Sequence, residues 1–310
     1  MIRTTDLMAA LLATALFAAP AVADTLVYAY NDHHDGYDEH HLHVLDLSTG
    51  RERVLGPKDG GIWNAVFTPS GKRLVYTLYL NDEAQIRVMD VDGGNDRQLT
   101  DVRSMSAFHP SVSPDGKSIA FSIYSEGDIG LVNMAGGEVS QIAPHEKLDY
   151  HPAFFADGER ILFGSRRLED DAGNPGIFVY HLQSGRIEHT GQFGEFARPS
   201  HDGRWLVFGA KAAKTAEPDI YIAPLDQSAP PKALTDNDHY DSQPAFSPDD
   251  SHIVFIGRGA QPADFPREKE SDTEGVQEVF LISRDGGKAR QLTFGGAVAW
   301  HAEIHGNEGE

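Results

Sequence analysis

The chain has 310 residues, 47 acidic against 26 basic side chains for a formal net charge of −21, 15 histidines and no cysteine. So acidic a balance lacks the basic footprint of a nucleic-acid binder or of a protein that docks on anionic lipid. Without cysteine, thiol nucleophiles, disulfides, iron–sulfur clusters and thiolate zinc sites are all excluded.

Residues 1–23 read as an export signal. Arg3 opens the segment, residues 7–19 form an almost unbroken apolar run, and Pro20-Ala-Val-Ala23 gives a small-x-small cleavage pattern before Asp24. The run is shorter than the roughly 20 apolar residues of a bilayer-spanning helix. The expectation is cleavage after Ala23 and a periplasmic or secreted protein with no membrane span, residues 24–310 forming one domain.

From there the chain reads as short strands and tight turns. Residues 25–30 alternate like a strand but have no partner strand ahead of them. Residues 32–43 then carry five histidines and four carboxylates. Such a tract is either a solvated acidic loop or a scavenger of transition metals. Residues 42–47, the turn Ser48-Thr-Gly50 and Arg53-Val-Leu55 form a hairpin.

A second element starts at Thr68-Pro-Ser-Gly-Lys-Arg-Leu-Val-Tyr76 and recurs as Ser113-Pro-Asp-Gly-Lys-Ser-Ile-Ala-Phe121. It returns as Ala156-Asp-Gly-Glu-Arg-Ile-Leu-Phe163, Ser200-His-Asp-Gly-Arg-Trp-Leu-Val-Phe208 and Ser247-Pro-Asp-Asp-Ser-His-Ile-Val-Phe255. Pro presets the first turn position, Asp bonds nearby backbone, and Gly accepts a positive φ. The turn glycines Gly71, Gly116, Gly158 and Gly203 are 45, 42 and 45 residues apart, and Asp250 takes the place 47 residues later. Between these turns the hairpin recurs, most clearly as residues 86–91 with Arg97-Gln-Leu-Thr100 and residues 279–283 with Arg290-Gln-Leu-Thr293.

There are six hairpins but five good turns. The stretch at 25–30 is a second strand lacking a first, and residues 300–304 are a first strand lacking a second. Pairing the two completes a sixth unit. A repeat of this length with four short strands is a propeller blade, and ring closure removes long exposed edges. The expected fold is all-β, a six-bladed β-propeller closed by its N- and C-terminal strands.

The Ser-Pro-Asp-Gly-Lys-x-Ile-Ala-Phe strand, the Gly-Gly hairpin and the Arg-Gln-Leu-Thr strand resemble the repeats of TolB-type propellers over residues 25–305. The resemblance implies a periplasmic propeller used as a docking surface, here without the N-terminal α/β domain of TolB proteins.

Aligning the first strands puts one residue per blade at the channel mouth: Asn64, His109, His151, Phe196, Gln243 and His301. His109, His151, Gln243 and His301 are donors suited to a divalent metal ion, with Asp149, Asp241 and Glu303 as acids that could orient the rings. The other reading is rings that cap backbone or hold channel water. The same four residues resemble the metal centre of oligogalacturonate lyases, which implies, as the alternative function, a metal-assisted lyase acting on an acidic sugar.

The leading expectation is a non-enzymatic monomer that binds a protein or small ligand on its loop-rich face. That face takes Asn64, His33, His34, His40, His41, Tyr150, Arg166, Arg167, His239, Tyr240 and Arg258, together with the insertion at 258–277. No Gly-x-Ser-x-Gly elbow or phosphate-cradling strand–turn–helix occurs. No catalytic residue is named, and no cofactor beyond the channel ion is implied.

Overall fold

The computed structural model describes residues 24–31, 40–56, 59–101, 106–124, 127–258, 277–294 and 298–306. Among them there is no helix. Blade 1 holds β1 (Asp24–Asn31), β2 (His41–Asp46) and β3 (Glu52–Leu55). Blade 2 is β4 (Gly61–Phe67), β5 (Arg73–Leu80), β6 (Glu83–Asp90) and β7 (Arg97–Gln98). Blade 3 is β8 (Ala107–Val112), β9 (Ser118–Ile123), β10 (Asp128–Asn133) and β11 (Ser140–Ile142). Blade 4 is β12 (Asp149–Phe154), β13 (Arg160–Glu169), β14 (Pro175–His181) and β15 (Ile187–Phe193). Blade 5 is β16 (Glu195–Pro199), β17 (Trp205–Lys211), β18 (Pro218–Pro224) and β19 (Lys232–Ala233). Blade 6 is β20 (Ser242–Phe246), β21 (His252–Arg258), β22 (Gln277–Ser283) and β23 (Arg290–Gln291).

The last strand, β24 (Val298–Gly306), returns to blade 1, whose order is β24-β1-β2-β3. It runs antiparallel to β1 with Leu26 opposite Ile304 and Tyr28 opposite Ala302. The two partial units thus complete one sheet, as the repeat count requires.

Two local devices explain the repeated motifs. In the turn of blade 3, Ser113 Oγ donates to Asp115 Oδ1 and accepts the Ser118 N–H, while the Lys117 N–H donates to Asp115. The same bonds recur around Ser200 and Asp202 and around Ser247 and Asp249. In the Leu-Thr motif, Thr100 Oγ1 accepts the Ile86 N–H and donates to Gln85. Thr235 does this with Ile220 and Asp219, and Thr293 with Val279 and Glu278. A short fourth strand is thereby held by a side chain where its ladder ends.

Between blades lie six apolar clusters, one at each interface. Phe121, for example, is fully buried between blades 3 and 2, against Val75 and Ile86. Burying a large apolar side chain is worth about 1.5–3 kcal/mol. These interfaces, distributed round the ring, hold the blades together.

Candidate functional site

Every first strand carries a β-bulge at the same place. The register slips between Trp63 and Val66, Phe108 and Ser111, Tyr150 and Ala153, Glu195 and Arg198, and Ser242 and Ala245. In blade 1 the slip falls at His301. Opposite the bulges stand Tyr76, Phe121, Phe163, Phe208, Phe255 and Tyr28, all buried. The aligned series from the sequence is therefore a series of bulge residues.

Their backbone is left-handed: φ is 47° at Asn64, 54° at His109 and His151, and 53° at Phe196 and Gln243. Residues other than glycine avoid this region, and bulges that hold them there re-aim side chains at functional places. Three successive blades are brought into ring contact this way. His151 stacks on Phe196 at 3.8 Å and 19°, and His109 meets His151 edge-on at 4.3 Å.

Burial, reinforced by the Arg198 charge, pushes His109 down to about 3, so its imidazole is neutral. Asn64 Oδ1, His109 Nδ1 and Gln243 Oε1 are buried with no hydrogen-bond partner among the described residues. Among the described residues no three His, Asp or Glu side chains come together as a cation site. The side chain of His301 lies outside the described residues. The acids expected behind the rings are engaged elsewhere: Asp149 pairs with Arg167, Asp241 accepts from Asn237, and Glu303 accepts the Phe67 N–H.

On the loop side of the ring stands a group of tyrosines around Glu195. Tyr150 OH and Arg166 Nη2 each lie 3.5 Å from its carboxylate, and Arg166 also binds Glu169 at 2.5 Å. Burial and then the Glu195 charge push Tyr124 up to about 12, and burial, with the same carboxylate as a lesser cause, raises Tyr150 and Tyr240. Tyr124 is nonetheless 50% exposed, standing over Phe108 and His109. Leu148 and Leu168 are exposed at the loop end of blade 4.

Of the other expected face residues, Asn64 joins the ring and His40 packs its ring 4.2 Å from Trp63. His41 is partly exposed and His239 exposed. Arg258 ends β21 opposite Gln277. Arg167 is not the free cation the sequence suggests: it turns inward to the buried Asp149 and lies over Phe163 and Phe178. His33, His34 and residues 259–276 of the insertion lie outside the described residues. His43, part of the histidine-rich tract, packs beside Tyr28 and Tyr30 and bonds Glu52 at 3.1 Å.

Beyond the ring, toward the Pro-Asp-Gly turns, the lumen widens into a cavity of about 1500 Å³. Two places after each bulge, Val66, Ser111, Ala153, Arg198, Ala245 and Glu303 line it.

Sequence reasoning missed Glu195, Tyr124 and Arg198. A signal existed for two of them. The residue before each bulge is aromatic in Trp63, Phe108, Tyr150 and Trp300; Glu195 and Ser242 break that series, and Glu195 alone brings a charge. Two places after each bulge the residues are small except for Arg198 and Glu303.

No protein-family model matches the chain. The Tol-Pal system protein TolB of Francisella tularensis subsp. mediasiatica is 27% identical over 189 residues, covering 58% of this chain and 43% of that protein. The chain thus spans less than half the length of the curated relative it matches. The crystal structure of TolB from Acinetobacter baumannii superposes with a TM-score of 0.73 at 18% identity, over 90% of this chain and 66% of that one. The chain is TolB-like in fold. An oligogalacturonate lyase in complex with manganese also matches, with a TM-score of 0.52 at 15% identity over 88% of this chain and 74% of that one. At such identities these likenesses speak for the fold alone, and the TolB-like reading of the repeats agrees with both TolB matches.

Proposed function

We propose that the chain is an exported, TolB-like binding propeller that docks a partner protein on its loop-rich face. The observation that carries this is the tyrosine group around Glu195, with Tyr124 half exposed above the aromatic bulge ring and Leu148 and Leu168 exposed at the loop end of blade 4. Tyrosine and arginine are residue types that dominate binding energy at protein interfaces. The similarity to a Tol-Pal system protein supports binding over chemistry.

The test is capture from an envelope extract by wild type and by Tyr124→Ala and Leu148→Asp. A defined partner lost from both variants supports the reading. Capture unchanged by either variant rejects this face. N-terminal sequencing of the exported protein should begin at Asp24.

The second reading, a metal-assisted lyase on an acidic sugar, is favoured by the unpaired acceptor atoms of His109 and Gln243 and by the lyase's related fold. Elemental analysis of untagged protein and of His151→Ala decides: a stoichiometric metal lost in the variant would support the lyase, and no metal in either would remove it.

A further inference from the structure

The cavity on the turn side has a wall chemistry of its own, on the face opposite the proposed docking surface. Of the six positions that follow the bulges by two, four carry Val66, Ser111, Ala153 and Ala245, which leave the lumen open. The two long side chains are the charged ones. Arg198 is partly buried, donates from Nη1 to the Pro152 carbonyl at 2.9 Å, and forms no ion pair among the described residues. Glu303 acts on it electrostatically from beyond ion-pair distance. Its carboxylate is oriented by the Phe67 N–H at 3.2 Å. The Arg198 guanidinium has no ion pair of its own among the described residues, and its planar fork matches a carboxylate in two parallel hydrogen bonds.

We propose that this cavity binds a carboxylate-bearing ligand, with the ligand carboxylate on Arg198 and an adjacent hydrogen-bond donor on Glu303. An open, mostly apolar lumen with a few fixed polar groups is the usual construction of a ligand site. Burial pushes the Glu303 carboxyl up to about 7, with Arg198, the Phe67 N–H and His201 pulling the other way. Near neutral pH the acid is therefore partly protonated, which weakens its repulsion of an anion held on Arg198; Asp90, Asp92 and Asp249 also line the cavity, together with Lys72 and His201. The carboxylate could belong to a free small acid or to a peptide terminus, and the two are separable.

The probes are N-acetylglycine, the peptide Ac-Ala-Ala-Gly with a free carboxylate, and the same peptide as its C-terminal amide. Each is titrated calorimetrically into the full chain up to about 10 mM, where affinities near the millimolar range are readable. The expected result is binding of at least one acid probe and none of the amide. Arg198→Gln should weaken acid binding by about tenfold or more, while Lys72→Ala at the cavity rim changes it little. Tighter binding of N-acetylglycine identifies a small-molecule site and tighter binding of the peptide a terminus site, and either supports the proposal. Equal binding of peptide and amide, no acid probe bound, or full affinity in Arg198→Gln would overturn it. The acid-against-amide comparison uses the wild-type chain alone, so it stands even if Arg198→Gln fails to fold.

Discussion

His151 lies flat on Phe196, ring centroids 3.8 Å apart and planes within 19°, although the two residues belong to different blades. The contact exists because both sit on bulges with φ near 54°. Aromatic pairs of this kind add about 0.5–1.5 kcal/mol beyond the area they bury. A double-mutant cycle with His151→Ala and Phe196→Ala, followed by urea denaturation, should give a coupling of about 1 kcal/mol. A coupling near zero would mean that the bulges position these rings without the rings holding the blades.

His109 makes the ring sensitive to acid. Its folded pKa, about 3, lies below the ordinary histidine value of 6.5. The unfolded chain therefore takes up a proton first as pH falls. The contribution of His109 is complete above the unfolded value and is lost as pH drops toward 3. At pH 5 the linkage amounts to about 2 kcal/mol. His109→Phe should flatten the fall in stability between pH 7 and pH 5, as measured by denaturant midpoints at each pH. A variant with an unchanged pH slope would place the acid sensitivity elsewhere.

Much of this architecture was legible in the sequence. The ring closure followed from one unpaired second strand at 25–30 and one unpaired first strand at 300–304. The bulge series followed from aligning repeats, because the spacing to the next turn is nearly constant. The left-handed backbone was not legible, since it accompanies the register slip of each bulge rather than the local propensity of the residues there. The fate of Arg167 was hidden for a related reason. Only the folded sheet shows that Asp149 is buried beneath it and needs a counter-charge.

Asp250 shows the same interplay at a turn. It occupies the place that glycine holds in four sister turns, with φ of 56°. Its carboxylate reaches the next blade, accepting the N–H groups of His201 and Asp202 at 3.0 Å and lying 2.7 Å from His201 Nδ1. Glycine would relieve backbone strain of about 1 kcal/mol. Losing hydrogen bonds to a charged acceptor costs about 1.5–3 kcal/mol. Asp250→Gly should therefore destabilise by about 1 kcal/mol in spite of restoring the repeat consensus. A stabilised variant would show that the link to His201 contributes little.

Glu303 should leave the opposite pH signature. Its folded pKa is raised to about 7 from 4.5. The stability tied to its protonated form is complete below the unfolded value and is lost as pH rises through 7. The loss is on the order of 2–3 kcal/mol by pH 8. Comparing wild type with Glu303→Gln at pH 5 and pH 8 separates this from the baseline effect of the substitution, because only the difference between the two pH values is read. If both proteins lose the same stability, the carboxyl does not titrate in this range.

The closure strand offers the most direct test of the circular arrangement. Ala302 and Ile304 of β24 are buried in the cluster that also holds Leu26, Val254 and Ile256, so one strand seals blade 1 against blade 6. Truncating a buried isoleucine to alanine costs about 2–5 kcal/mol. Ile304→Ala should lower the denaturation midpoint accordingly while the transition stays cooperative. Removing residues 298–310 takes away the whole first strand of blade 1 and leaves β1 as an open edge, which templates association. That variant should lose its single cooperative transition and become prone to aggregate, as read by circular dichroism and size-exclusion chromatography. Wild-type stability in the truncated chain would mean that the ring does not depend on joining its ends.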